Sequence, residues 1–423
     1  MLISTFSNRG VMYVFSRSSL AAVALAAGFA ACTTTNGAVA VTTPAGSADT
    51  GSPPDAAVIH VELEAELGLN DVSILEPLPA GPSATAWLAA TSAGAMGELL
   101  PKAVFDAIPK FPVSTEHSLL YPNMRVLGLR FDGCHKSADG CKAQIRLVMQ
   151  PVSSNGKARD SALHLFYSLS PENFALAVHR LRAMRALAPE QALDAPLSVS
   201  PALAAQGMEG AYAQALHGLV LELCGEQNLT RMTFFLRAPP KQETWFFGGF
   251  ERADGSLQTM SIEGIGKSNQ RVIRFDDASG YNYDVNPAPT KPEDGTALLS
   301  TKSASTANDE LRAKTFASYM RLENPRTYSP DDVACAGCHL ASIVIGESQR
   351  SFSLSTASFP DAQFSSKYLE GPSAERQTAS GAQRSSLRAF GYFDETAMVA
   401  PRTVNETAAV LEDIAARYAA TAL

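Results

Sequence analysis

The pentapeptide Cys335-Ala336-Gly337-Cys338-His339 constrains this 423-residue chain more than any other stretch. Two cysteines three positions apart can each form a thioether with a haem vinyl group, and a histidine directly after the second is then carried under the iron as the proximal ligand. The residues between them, Ala336 and Gly337, are small enough for a porphyrin edge to approach the backbone. Upstream, Ser329-Pro330-Asp331-Asp332 offers an N-cap, a proline for the first helical position and two acids for the first turn. This predicts that the motif rides on a short helix. Other chemistries could use the same residues. A structural zinc site would require a fourth Cys, His or carboxylate ligand, and a thioredoxin-like redox pair would require a strand before the motif and a longer helix after it. Covalent haem is the expected reading if the chain is exported.

The amino terminus points to export. Residues 1–31 contain Arg9 and Arg17 but no acid, and from Leu20 to Ala31 they form an unbroken run of Ala, Val, Leu, Gly and Phe. That run is too short for a permanent membrane span and reads as a signal peptide. The sequence Phe29-Ala30-Ala31-Cys32 resembles the bacterial lipobox. The resemblance implies lipidation of Cys32 as the mature amino terminus, and Thr33, rather than Asp, after it implies the outer membrane. Residues 32–57 are almost wholly Thr, Ala, Gly, Ser, Asp and Pro, with no aromatic residue, as in a flexible tether. The formal charge of −8, without a basic run, argues against a nucleic-acid partner.

Residues 58–280 switch repeatedly between the two-residue and 3.6-residue periods, which predicts an α+β domain: an antiparallel sheet with helices. Leu127, Leu129 and Phe131 alternate on one strand and Ala143, Ile145, Leu147 and Met149 on the next, forming an expected hairpin. Cys134 and Cys141 lie at its end and can close a disulfide in an oxidising compartment. Cys224 follows the helical stripe Leu216, Leu219, Val220, Leu223 and is expected as a buried free thiol. Trp245, Phe246, Phe247 and Phe250 put aromatic residues on both faces of one strand, so that strand should be covered on both sides or docked against the haem-bearing region. The domain contains no Gly-rich phosphate loop, Gly-x-Ser-x-Gly elbow or His-Glu-x-x-His motif. His60, His117, His164, His179 and His217 stand apart, each without a motif around it.

Residues 281–307 are rich in Pro, Thr, Ser and Lys and read as a linker. From about residue 305 onward the chain resembles a class I cytochrome c, with a helix over about 308–322, the Cys-x-x-Cys-His motif, and a last helix. In that helix Thr403-Val404-Asn405-Glu406 has the form of a capping box, and Val404, Ala408, Leu411, Ile414 and Tyr418 recur at helical spacing. The resemblance implies that residues 308–423 form a small all-α domain around one covalent haem c, held by Cys335 and Cys338. It implies His339 as proximal ligand and a downstream methionine as the other; Met398 is the only methionine after His339. Pro325 and Pro330 interrupt the approach to the motif, a departure from the family's long first helix.

The function expected is one-electron transfer by a membrane-anchored periplasmic mono-haem cytochrome, a carrier rather than a catalyst, serving a redox partner protein of the cell envelope. Two rivals are a haem-linked redox enzyme and a haem-based sensor, in which the α+β domain would bind the substrate or partner.

Overall fold

The structure is a computed structural model that describes residues 65–81, 84–109, 121–137, 140–188, 191–238, 243–253, 255–277, 280–288, 295–369 and 387–418. The expected signal peptide (1–31), Cys32 and the tether (32–57) lie outside the described residues.

The strands are β1 (Ser73–Leu75), the small pair β2 (Ala93–Gly94) and β3 (Gly97–Glu98), β4 (Met124–Ser137), β5 (Gly140–Pro151), β6 (Ala162–Leu169), β7 (Leu229–Ala238) and β8 (Glu243–Ala253). They continue with β9 (Ser256–Thr259), β10 (Asn269–Asp277), β11 (Gly280–Asn286), β12 (Phe390–Phe393) and β13 (Thr396–Val399). Nine of them form one sheet, in the order β1-β4-β5-β6-β7-β8-β10-β11 with β9 on β8, and every pairing is antiparallel. With the helices this is the α+β architecture anticipated from the alternating periods.

Side chains alternate across a pleated strand, so the register divides the sheet into two faces. On one face Leu129 pairs with Leu147, Leu147 with Leu165, and Leu165 with Met232. These residues share an apolar core with Phe174, Val178 and Leu181 of the helix Pro171–Arg185 and with Leu216, Leu219 and Val220 of the helix Ala211–Leu223. Ser170 caps the first of these helices and Pro171 opens it, as Ser170-Pro171-Glu172 predicts. Cys224 ends the second as a fully buried free thiol, in the place expected for it. The expected hairpin β4–β5 forms, with Leu129 opposite Leu147 and Phe131 opposite Ile145, and the Cys134–Cys141 disulfide joins its end with the Cα atoms 4.6 Å apart.

The other face carries Arg130, Arg146, His164, Phe166, Arg231, Thr233, Phe235, Trp245 and Phe247. The C-terminal third of the chain packs here. Phe235, Trp245, Phe247 and Val272 form a second core with Phe316, Tyr319 and Met320 of the helix Asp309–Leu322 and with Leu340, Ile343 and Val344 of the helix Cys335–Phe352. The aromatic strand Glu243–Ala253 is therefore covered on both faces, with Phe246 and Phe250 turned to the first core.

Of the residues read as a linker, 281–286 and 301–306 form regular elements of the fold. Strand β11 pairs with β10 along its length and buries Tyr281 and Tyr283, and Thr301–Thr306 is helical with Ser300 as its N-cap. The C-terminal region is not all-helical either. Beyond the helices it forms the β12–β13 hairpin, which turns at Asp394 with φ 52°, a left-handed conformation that a short polar side chain tolerates. Gly391 in β12 has φ 129°, and a Cβ there would meet Gln150 Oε1 at 2.2 Å. This close approach docks the hairpin, for Tyr392 N donates to Gln150 Oε1 at 2.7 Å and Gln150 Nε2 donates to the Tyr392 carbonyl at 2.9 Å.

The terminal helix, Pro401–Arg417, begins two residues before the expected box, with Pro401 at its first position. Glu406 is used for docking rather than capping. It forms buried ion pairs with Arg130 of β4 and, at 2.8 Å, with Arg402. The three arginines Arg402, Arg130 and Arg146 outweigh the cost of burial and hold its carboxyl below the usual range.

Candidate haem-attachment site

The motif helix runs from Cys335 to Phe352, so it starts later and extends further than Ser329-Pro330-Asp331-Asp332 suggested. Ser329 and Asp332 instead close a turn on themselves: Ser329 N donates to Asp332 Oδ2 at 2.8 Å, and Asp332 N donates to the Ser329 carbonyl at 3.1 Å. Residue Ala334 is extended and has no side chain to cap the helix. The sheet supplies the acceptor, with Ala336 N donating to Gln270 Oε1 of β10 at 2.8 Å. Just upstream, Asp331 is ion-paired with Arg231 of β7. The terminal helix adds further ties, from Arg402 Nη1 to the Leu322 carbonyl at 2.7 Å and from Arg402 Nη2 to the Tyr328 carbonyl at 2.6 Å.

Cys335 and Cys338 lie on one side of the first helical turn, as a spacing of three residues dictates. Both thiols are half-buried and protonated at neutral pH. Burial pushes Cys335 up to about 12, with Cys338 beside it adding to the effect, and pushes Cys338 up to about 11 against the opposing charge of Arg402. His339 stacks on Phe235 at 5.3 Å between ring centres with 13° between planes, and packs against Phe247 at 4.9 Å. Its Nδ1 lies 2.7 Å from the Leu387 carbonyl oxygen. A carbonyl can only accept, so the proton resides on Nδ1 and the lone pair on Nε2. Burial lowers the pKa to about 4, the bond to Leu387 opposing and Arg388 assisting, so the ring is neutral at pH 7. A neutral imidazole oriented through Nδ1 to a backbone carbonyl is the form in which histidine ligates a metal.

These residues fit a haem that is covalently held and bound through one protein nitrogen. Among the described residues no three His, Cys, Asp or Glu side chains converge as a metal site, which structural zinc would need. Nor does a strand run directly into the motif, as a thioredoxin-like pair would require; the turn at Ser329–Asp332 precedes it. The sequence candidate Met398 is buried on β13 opposite Gly391.

No protein-family model, curated protein or solved structure matches this chain.

Sequence motifs did not single out several of its residues. Phe235 and Phe247 hold the His339 ring, Gln270 holds the helix start, and Arg388, whose guanidinium lies 4.5 Å over the Phe235 ring, pairs with buried Asp160 at 3.4 Å. His164 shares this face, two residues along β6 from Ala162, whose row carries Phe235 and Phe247. Strand alternation alone would have placed His164 on the same side as Arg146. Beside the site, a cleft of about 360 Å³ is walled by Arg130, Arg146, Arg402 and Glu406, and none of Cys335, Cys338 and His339 lines it.

Proposed function

We propose that this protein is an exported c-type haem protein whose work is one-electron transfer. In this reading Cys335 and Cys338 hold the haem by thioethers and His339 is its proximal ligand. The observation that carries it is the bond from His339 Nδ1 to the Leu387 carbonyl at 2.7 Å, which leaves the other ring nitrogen free on the same helix as the two thiols. The bound group would supply a reversible ferric–ferrous couple. The chain's own residues would orient the proximal ring, through Phe235, Phe247 and Leu387, and limit water around it. Arg146 and Arg402, whose charges reach Cys338, would offset the carboxylates that a haem brings. The cytochrome character rests on the motif and its surroundings, because the C-terminal region carries a hairpin and docks on the sheet.

The sequence also supports removal of residues 1–31 as a signal peptide and lipid anchoring through Cys32, with the folded part on the periplasmic side of the outer membrane and a redox protein of the envelope as partner. Among the described residues, no helix is long and apolar enough to cross a membrane.

The test is expression of the exported chain with a cytochrome c maturation system. Wild type should retain haem on a denaturing gel and give a c-type reduced spectrum, and Cys335→Ala with Cys338→Ala should lose both. Equal haem retention in the double variant would overturn the reading.

A further inference from the structure

His164 has no part in the attachment chemistry, yet the fold delivers it there. Across the sheet it pairs with Val148 on β5 and Thr233 on β7, and Thr233 pairs with Gly249 on β8. One pleat step along, the row Ala162, Phe235, Phe247 supports the ring of His339. On the site side of this part of the sheet, the strand neighbours of His164 in its row are thus small or modest, with the Met260 thioether lying over Gly249 at the far end.

The ring is half-buried, and among the described residues neither of its nitrogens has a hydrogen-bond partner. Other buried histidines are provided for: His217 Nε2 lies 2.8 Å from Glu76 Oε1, and His339 is bonded to Leu387. A neutral imidazole nitrogen without a partner can offer its lone pair to a metal.

We propose that His164 would hold the haem iron together with His339. This rests on the covalent haem argued above and goes beyond it: the sheet becomes half of the haem site, which gives the α+β body a purpose. Met398 is then a core methionine of the β12–β13 hairpin. Two imidazoles also set a lower reduction potential than a histidine and a methionine would.

The experiment uses the haem-loaded full chain. Wild type should give a low-spin bis-imidazole ferric spectrum without the near-infrared sulfur-to-iron band, and its ferrous form should bind carbon monoxide poorly. His164→Ala should become high-spin and bind carbon monoxide readily, with added imidazole restoring the low-spin spectrum. His164→Met should raise the potential, and serves if the alanine variant does not fold. Met398→Ala should leave the wild-type spectrum unchanged. A haem-bearing wild type that shows the near-infrared band, or a His164→Ala variant that stays low-spin, would overturn this assignment alone. A wild type without covalent haem would overturn both it and the proposed function.

Discussion

The amide of Ala336 donates to Gln270 Oε1 at 2.8 Å, so a residue 66 positions earlier in sequence fixes the first turn of the helix that carries Cys335, Cys338 and His339. The same amide group binds onward, with Gln270 Nε2 donating to the Pro287 carbonyl at 3.0 Å. Gln270 is fully buried, which makes both bonds expensive to lose. Gln270→Leu keeps the bulk and removes the polar atoms. It should destabilise the chain by about 1 to 3 kcal/mol in chemical denaturation. An unchanged denaturation midpoint would show that the helix start does not depend on this bond.

A second buried pair sets a pH dependence. Glu76 is fully buried and lies 2.8 Å from His217 Nε2. Burial pulls the His217 pKa down, but the charge of Glu76 and the hydrogen bond to it prevail and hold it above the ordinary 6.5. A histidine whose pKa is raised on folding contributes stability that is fully present below the unfolded value and is lost as pH rises through the folded one. Denaturation free energy should therefore fall as the solution is taken from below pH 6.5 to above the raised value. His217→Ala should remove this slope and, by leaving the carboxylate buried alone, cost about 3 to 5 kcal/mol. The same slope in the variant would assign the effect to another group.

The disulfide should matter modestly. Cys134 and Cys141 are seven positions apart, so the bond closes a short loop, for which loop entropy gives roughly 2.5 kcal/mol. Cys134→Ser with Cys141→Ser should lower stability by up to about that amount. Non-reducing peptide mapping of wild type should find the two linked, with Cys224 alkylated only after unfolding; a link from Cys224 to either would refute the pairing.

Much of this was legible from residues alone, where the information is local. Leu127, Leu129 and Phe131 alternate, and Ala143, Ile145, Leu147 and Met149 answer them, so the hairpin and its disulfide could be written down in advance. The stripe ending at Cys224 and the apolar positions of the terminal helix were equally readable, because a periodic face must be buried somewhere. The start of the motif helix is not legible in the sequence because Ser329 and Asp332 can satisfy each other in a turn as well as cap a helix. The polar composition of residues 281–307 concealed β11, whose tyrosines find their apolar surroundings only in the folded chain.

The motif with its chemistry, the strand and helix faces, and the cysteine pairing were determined by sequence, since each depends on residues a few positions apart. Which sheet face receives the motif helix, which aromatic rings hold His339, that Gln270 stands in for a missing cap and that His164 shares the sheet face of those rings were decided by tertiary structure. Such contacts join residues tens to hundreds of positions apart, and local preference cannot encode them: they exist only once strand register has aligned the rows and burial has brought the C-terminal third onto the sheet.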